Sequence, residues 1–384
     1  MKRKVCVITG SRADYGLLRS LMAQITESSN LDLQIIATGT HLSPTFGSTY
    51  QEIERDQFLI NRRIECISEA DTADAIATAI SKTLVGAVEC FQELKPDILV
   101  LLGDRFEIFA AATAGLISRV PIAHIHGGEK TVGAFDEAFR HSITKMSHLH
   151  FVATEDYRTR VIQLGEEPSR VFTVGAIGID EIMQMKFLKK KDLERSLGIE
   201  FRERNLLITF HPATLDEEPS ERQMKQLLMA LANRPNTSLI FTMPNADTGS
   251  LGLAKMISQF VAENPNSYFF TSLGRTSYLS CMALVDGVIG NSSSGIIEAP
   301  SLKVGTVNIG DRQEGRVQAK SVINCNAVET EIREAMVKLY SDEFRFIVSN
   351  CRNPYGDGGT SQKISRILSE IDIDRLIKKN FYDL

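Results

Sequence analysis

Several features that would assign this chain to a broad class of protein are missing from its sequence. No apolar run approaches the roughly 20 residues that a membrane helix needs. The short apolar opening ends at Gly10 and charges follow at once, which does not suit a signal peptide. The net charge of −5 argues against a sequence-independent nucleic-acid binder. The six cysteines are widely spaced and form no C-x-x-C, as in reduced, cytosolic proteins. We therefore expect a cytoplasmic protein with no membrane or nucleic-acid partner.

The common nucleotide-binding motifs are missing as well. No G-x-G-x-x-G follows the first predicted strand, and G-x-x-x-x-G-K-[ST] occurs nowhere. Gly128-Glu129-Lys130-Thr131 is superficially like the end of a P-loop, but it lacks the glycine before the lysine. The sequence therefore supports neither a dinucleotide site nor a P-loop.

What the chain does contain is a regular alternation of apolar strands and amphipathic helices. Strands are predicted at 5–9, 33–38, 98–102, 122–125, 148–153 and 170–174, and then at 206–210, 239–242, 268–271, 285–289 and 304–308. Two successive series of this kind predict an α/β fold with two doubly wound parallel-sheet domains and a cleft between them.

The domain boundary is predicted near the Lys189-Lys190-Lys191 run, where the composition changes. We place the two Rossmann-like domains at 1–185 and 186–358. The remaining segment, 359–384, follows a turn rich in glycine and proline. It is predicted to form a helix from Thr360 to about Lys379 that packs back onto the first domain.

The stretch 97–141 carries the densest group of polar residues at predicted strand ends. Strand 98–102 runs into Gly103, Asp104 and Arg105, and strand 122–125 runs into the segment 126–129, which holds His126 and Glu129. A predicted helix with Asp136 near its start comes next. Because ligands of open parallel sheets bind beyond the carboxyl ends of the strands, these side chains predict an acid–base site in the first domain.

The second domain offers a loop suited to a diphosphate. Residues 290–295 read G-N-S-S-S-G between a buried strand and a short helix, so backbone N–H groups and the hydroxyls of Ser292 and Ser293 are exposed. Glu298, about one turn later, could accept hydrogen bonds from ribose hydroxyls. Arg312 follows the next strand, Arg12 and Arg105 follow strands of the first domain, and guanidinium groups suit phosphate oxygens. His211 ends the first strand of the second domain.

The histidines allow a competing interpretation. His124 and His126 lie two apart on one strand, and His148 and His150 repeat this spacing. With Glu129 or Asp136 as a further ligand, such pairs could bind zinc in a hydrolase. The glycine-rich and arginine-bearing loops would then have no purpose, so we predict neither a metal nor any other cofactor.

Seven motifs, in order along the chain, carry a resemblance to a known family. They are GSRADYG, GDRFEIF, HIHGGEKT, D-E-x-x-RHSITK, NADTGS, GNSSSGIIE-x-PSLK and NIGDRQ-x-GR. Together they resemble the hydrolysing UDP-N-acetylglucosamine 2-epimerases, most closely the bacterial sialic-acid (NeuC-type) branch. The related non-hydrolysing enzymes begin with G-T-R-P-E, where this chain has Ala13 and Asp14. The resemblance implies the two-domain fold of GT-B glycosyltransferases and a homodimer or homotetramer.

The chemistry of such an enzyme needs two kinds of side chain. The C2–H of an N-acetylhexosamine becomes acidic only when UDP leaves C1, and the glycal that forms then takes up water at C1 and a proton at C2. A cationic group must meet the leaving diphosphate, and at least two groups must transfer protons. The resemblance makes Asp104, Glu129 and Asp136 the acid–base candidates, grouped with His126 and Arg105. The candidates for substrate binding are Arg12, Asp14, His41, His211, Ser292, Ser293, Glu298 and Arg312.

The reaction predicted first is conversion of UDP-N-acetylglucosamine and water to N-acetylmannosamine and UDP, which supplies sialic-acid biosynthesis. Three alternatives stay open. The nearest is the same reaction on UDP-2,4-diacetamido-2,4,6-trideoxyglucose, on the way to legionaminic acid. A GT-B glycosyltransferase would need an acceptor site, and a non-catalytic nucleotide-sugar-binding protein would not need the acid–base set.

Overall fold

The computed structural model describes residues 2–67, 72–131, 135–212, 219–244 and 249–384. The chain divides into two compact units. The first consists of Met1–Glu129, Phe135–Glu181 and Tyr355–Leu384, and the second of Lys130–Ala134 and Ile182–Pro354. The boundaries between the units therefore lie at 181/182 and 354/355, whereas the sequence predicts domain boundaries at 185/186 and 358/359. The assignment of Lys130–Ala134 to the second unit was not predicted.

The first unit alternates strands and helices from its first residues onward. Its strands are β1 (Arg3–Thr9), β2 (Leu31–Thr38), β3 (Arg62–Ile64), β4 (Ile98–Leu102), β5 (Ile122–Ile125), β6 (Leu149–Val152) and β7 (Val171–Thr173). Its helices are α1 (Arg12–Glu27), α2 (Tyr50–Arg55), α3 (Ala73–Leu94), α4 (Phe106–Ile117), α5 (Asp136–Met146), α6 (Glu155–Gln163) and α7 (Gly178–Gln184), within which the first unit ends. A 3-10 helix, Gly39–Leu42, follows β2.

The sheet of the first unit is parallel and buried on both faces. Its strand order is β3-β2-β1-β4-β5-β6-β7, so the direction of winding reverses between β1 and β4. One face packs on α1 around Leu18 and Met22, and the other packs on α3 and α4 around Phe91 and Ala111. Burial on both faces explains why the strands read as continuous apolar runs. The carboxyl ends of β1 and β4 form the switch point at which ligands of this architecture bind.

The second unit repeats the plan with six strands. They are β8 (Arg204–Thr209), β9 (Thr237–Thr242), β10 (Ser267–Phe270), β11 (Gly287–Gly290), β12 (Gly305–Ile309) and β13 (Val322–Cys325). The helices are α8 (Lys190–Leu197), α9 (Ser220–Leu231), α10 (Ser250–Glu263), α11 (Arg275–Leu284), α12 (Ser294–Ile297), α13 (Glu329–Leu339) and α14 (Asp342–Asn350). The strands are parallel in the order β10-β9-β8-β11-β12-β13, with the switch point between β8 and β11. The predicted fold class is thereby confirmed.

Three local predictions were incomplete or wrong. The edge strands β3 and β13 were missed because they are only three and four residues long and carry polar side chains. The last helix, α15 (Thr360–Glu370), ends nine residues before the predicted Lys379. Ile371 is extended, and the Asp372 side chain accepts the backbone N–H of Asp374, a local bond that competes with a helix. Within the first unit, α15 packs against α1 through Ile364 and Leu368.

The cysteines do not form disulfides with one another in the described part of the chain. All six cysteines are free, and all but Cys325 are buried. Among the described residues, no helix combines the length and the apolar character that crossing a membrane requires. Of the seven sequence motifs, NADTGS falls partly outside the described residues, which resume at Gly249.

Candidate active site

The predicted acid–base residues of the first unit meet around one buried arginine. Arg140, on α5, is 3% exposed and donates to the carboxylate of Asp104 and to the backbone carbonyl of His126 (2.8 Å). Its Nη1 also lies 4.0 Å from Oε2 of Glu129. Burial alone would lower the pKa of Arg140, but Asp104, Glu129 and the two carboxylates that begin α5 raise it. The cation therefore holds together side chains that follow β4 and β5.

The turn after β5 is shaped to present Glu129. His126 has a left-handed backbone (φ 65°), and so does Gly128 (φ 77°), where an added Cβ would lie 2.5 Å from the carbonyl of Tyr157. This conformation is strained for histidine and requires glycine at the second position. Oε1 of Glu129 lies 3.2 Å from Nδ1 of His126, and both side chains are buried. Asp136, the first residue of α5, is half-buried.

The turns after β1 and β4 bring a second group together at the switch point. Ser11 caps α1 by accepting the backbone N–H of Asp14 (3.3 Å), and Arg12 lies 4.0 Å from Glu52. Burial raises the pKa of Asp14 to about 7, with Arg105 lowering it and Glu107 raising it. Arg105 donates from Nε to Glu107 (2.9 Å). Glu107 is completely buried and was not among the predicted site residues.

His41 has a different environment from the one expected of a substrate contact. The side chain is completely buried, with Nε2 2.9 Å from the hydroxyl of Thr9 and Nδ1 2.9 Å from that of Thr49. Burial lowers the pKa of His41 to about 4, so the ring is neutral at physiological pH. Because hydroxyls occupy both ring nitrogens, His41 holds the turns after β1 and β2 in place.

The other histidines of the His-x-His pairs also have partners inside the protein. His124 is placed between the hydroxyl of Thr144 (3.1 Å) and the carbonyl of Gly103 (2.7 Å), and His150 is 2.9 Å from Glu166. His148 accepts the backbone N–H of Ile122 (3.1 Å). Within the described ranges, no three His, Cys, Asp or Glu side chains are grouped so that they could bind a metal ion. These three rings thus support the sheet and the turn after β4.

In the second unit, Asn291 organises the predicted diphosphate loop. Its side chain accepts the backbone N–H of His211 (2.7 Å) and donates to the carbonyl of the same residue (2.9 Å). Its own carbonyl accepts from Arg312 (3.3 Å) and from Gln313 (2.8 Å). The ends of β8, β11 and β12 are thereby tied together beside Ser292. Asn291 belongs to one of the seven sequence motifs, but its role was not predicted.

Glu298 is buried and held by two neighbours. Oε1 lies 2.8 Å from Nη1 of Arg275, and Oε2 accepts from the hydroxyl of Ser294. Ser292 and Ser293 are half-buried, and the Ser292 hydroxyl accepts the backbone N–H of Ser294 (3.4 Å). The glutamate and the serines therefore lie on the same short segment, with the Glu298 carboxylate oriented by Arg275. No sequence pattern had indicated Arg275.

Known proteins match this chain over most of its length. Residues 23–369 match the family described as UDP-N-acetylglucosamine 2-epimerase. The GDP/UDP-N,N'-diacetylbacillosamine 2-epimerase (hydrolyzing) of Campylobacter jejuni is 42% identical over 385 residues, covering 100% of both chains. The UDP-N,N'-diacetylbacillosamine 2-epimerase (hydrolyzing) of Legionella pneumophila is 37% identical over 97% of both chains.

A solved structure extends the comparison to the fold. The crystal structure of UDP-GlcNAc 2-epimerase from Neisseria meningitidis bound to UDP-GlcNAc superimposes with a TM-score of 0.80 at 19% identity. The alignment covers 95% of this chain and 99% of that one. The match to the family spans most of the sequence, including six of the seven motifs in full. The chain therefore belongs to the UDP-N-acetylglucosamine 2-epimerase family.

Proposed function

We propose that this protein is a hydrolysing UDP-sugar 2-epimerase acting on UDP-N,N'-diacetylbacillosamine, the UDP-2,4-diacetamido-2,4,6-trideoxy sugar that was the nearest alternative on sequence. Two relatives that match over nearly their full length carry this substrate in their names. Their names support the alternative better than UDP-N-acetylglucosamine, which the sequence put first. UDP-N-acetylglucosamine remains the second candidate because the family itself is described by it.

The observation that carries the chemical part of the proposal is the grouping of Asp104 and Glu129 around Arg140. The first half-reaction removes the proton at C2, forms the C1–C2 double bond and breaks the C1–O bond, so that UDP leaves with the electron pair. The second half-reaction adds water at C1 and a proton at C2 on the opposite face. Two separate proton transfers need two separate groups. The candidates are two carboxylates that follow strands, Asp104 and Glu129, and one at the start of α5, Asp136.

We assign the proton transfers to Asp104, Glu129 and Asp136, with His126 beside Glu129 (3.2 Å) as the group that can exchange a proton with it. Arg140 keeps two of these carboxylates close together despite their like charge. It does so because a buried guanidinium offsets the repulsion between them. Arg140 is therefore a further candidate site residue, one that the sequence did not predict.

The second unit provides the groups that suit UDP. Donors for a diphosphate come from the side chains of Arg312, Ser292, Ser293 and His211, and buried Glu298 presents a carboxylate for ribose hydroxyls. In the first unit, Arg12 and Arg105 provide cations suited to phosphate oxygens, and Asp14 lies in the first turn of α1 with Arg12. We assign to His41 the positioning of that turn instead of a direct substrate contact, since both its nitrogens are used.

The test is to incubate the protein with each UDP-sugar separately and without any acceptor. Released UDP is measured by a coupled assay, and the free sugar is identified by NMR. We expect UDP release and a 2-epimerised diacetamido sugar, with kcat/KM higher for UDP-N,N'-diacetylbacillosamine than for UDP-N-acetylglucosamine.

UDP-glucose, which has no 2-acetamido group, serves as the control for nonspecific hydrolysis. A higher kcat/KM for UDP-N-acetylglucosamine would restore the first prediction from sequence. UDP release from neither sugar would leave the glycosyltransferase and the binding protein, which addition of an acceptor sugar would then separate.

A further inference from the structure

Glu107 is a completely buried acidic residue with no part in the chemistry described above. It lies in the first turn of α4, is 0% exposed, and accepts a hydrogen bond from Nε of Arg105 through Oε1 (2.9 Å). In the described part of the chain, Oε2 has no hydrogen-bond partner. Burying a carboxylate is costly unless it is fully paired. Glu107 is buried next to the candidate site in spite of this cost. We therefore expect its carboxylate to have a function there.

Two glycines leave the space that the Glu107 side chain fills. A Cβ added to Gly10 would lie 2.5 Å from both Cγ and Oε1 of Glu107. A Cβ added to Gly39, whose φ is +60°, would lie 3.0 Å from Oε1 and 2.4 Å from the carbonyl of Gly10. The turns after β1 and β2 thus close directly on this carboxylate. The same turn after β1 carries Arg12 and Asp14.

Asp14 carries a second carboxylate on the turn after β1. Its Oδ2 atom is buried and has no hydrogen-bond partner among the described residues. Burial raises the pKa of Asp14 to about 7, Arg105 opposes this rise, and Glu107 adds to it. Other charged groups on the elements around this turn include Arg12 on the same helix and Glu52 from α2, which lie 4.0 Å apart, while His41 from the turn after β2 is neutral.

We propose that Glu107 is a positioning residue that holds Arg105 and keeps a proton on Asp14, so that the guanidinium groups of Arg12 and Arg105 stay available to the diphosphate of a UDP-sugar. This rests on the proposed function. An ionised Asp14 would compete with the diphosphate for both cations and would repel its negative charge. A proton on Asp14 and a diphosphate at the arginines therefore favour each other, and such coupling is reciprocal.

The experiment measures UDP-glucose binding by calorimetry between about pH 6 and pH 8.5, a range in which this diphosphate diester does not titrate. UDP-glucose lacks the 2-acetamido group and serves as a probe of binding alone. For the wild type, we expect the Kd to rise about 5-fold or more across this range, with a midpoint near pH 7. Binding at neutral pH should also take up protons, which is visible as a dependence on buffer ionisation enthalpy.

Two variants test the roles of Asp14 and Glu107 separately. Asp14→Asn cannot ionise, so its Kd should be independent of pH over the same range. Glu107→Gln removes a negative charge and frees Arg105, and both effects favour the ionised form of Asp14. Its midpoint should therefore move below that of the wild type. The same downward move should appear without ligand in a 13C titration of the Asp14 carboxyl, which does not depend on the enzyme's substrate.

Several outcomes would overturn the proposal. One is a wild-type enzyme whose Asp14 carboxyl titrates at the ordinary acidic value. Another is a Glu107→Gln variant whose Asp14 titrates as in the wild type. If Glu107→Gln does not fold, Glu107→Asp takes its place. This variant shortens the side chain by one methylene, and the midpoint of the Asp14 titration must still fall below that of the wild type. An enzyme that binds no UDP-sugar, but in which Glu107→Gln lowers the Asp14 midpoint by NMR, would contradict the proposed function and not the role of Glu107.

Discussion

Replacing Glu129 by glutamine tests the acid–base assignment most directly. The side chain is 1% exposed, 3.2 Å from His126 and 4.0 Å from Arg140. Glutamine has nearly the same volume, and Arg140 keeps its bond to Asp104, so the buried cation retains one partner. The expected loss of stability is that of one buried hydrogen bond to a charged group, about 1–3 kcal/mol. The variant should therefore fold and still bind UDP.

Turnover should fall much more than stability. A general acid–base group contributes roughly 10²–10⁴-fold to the rate, and this corresponds to about 3–5 kcal/mol of transition-state free energy. The assay is UDP release from the preferred UDP-sugar, with calorimetry of UDP binding in parallel. If Glu129 acts mainly in the hydration step, the variant should also release the glycal, which NMR would identify among the products.

Glu166→Gln provides a matched control. Glu166 is also a buried glutamate beside a histidine, with His150 at 2.9 Å, and it pairs with Lys145 and Lys379. We expect Glu166→Gln to lower the melting temperature while kcat stays near that of the wild type. A Glu129→Gln enzyme with normal turnover would refute the reasoning. It would leave Asp104 and Asp136 as the acid–base pair and Glu129 as an anchor of its turn.

Four further outcomes are expected. In deuterated water the product should carry deuterium at C2, and retention of the substrate's own hydrogen in every molecule would instead favour a shielded single-base transfer or a redox route. Activity should survive exhaustive chelation, because we propose that arginines and hydroxyls bind the diphosphate; a loss on EDTA that zinc or magnesium restores would revive the metal interpretation. Glu298→Ala should weaken UDP binding by roughly 1–3 kcal/mol if the carboxylate accepts ribose hydrogen bonds, and an unchanged affinity in calorimetry would place it outside the site. His150 and the two lysines outweigh the effect of burial and lower the pKa of Glu166 from 4.5 to about 2, so this cluster's stabilisation should be lost as pH falls from about 4.5 towards 2. Acid denaturation should then show a smaller pH dependence for Glu166→Gln than for the wild type.

The positions of the strands and of the glycine-rich turns could be predicted from sequence for a simple reason. Central strands of a parallel sheet are buried on both faces, so β4 and β5 appear as apolar runs that stop where polar residues begin. The same reasoning places Asp104 and Glu129 at strand ends. It does not reach β3 and β13, because short edge strands carry too few apolar residues to differ from a loop.

What the sequence alone determined is therefore the fold class, the turns that carry the candidate residues, and the motifs that resemble the family. The tertiary structure decided which of those residues share an environment. Arg140 lies 36 residues from the Asp104 that it binds, and Glu107 is enclosed by Gly10 and Gly39 from two other strand ends. His41 looked equally available in the sequence, yet hydroxyls 32 and 8 residues away occupy its ring. Such partners come from distant parts of the chain, and burial, which raises the pKa of Asp14 and lowers that of His41, depends on the packing of all of them.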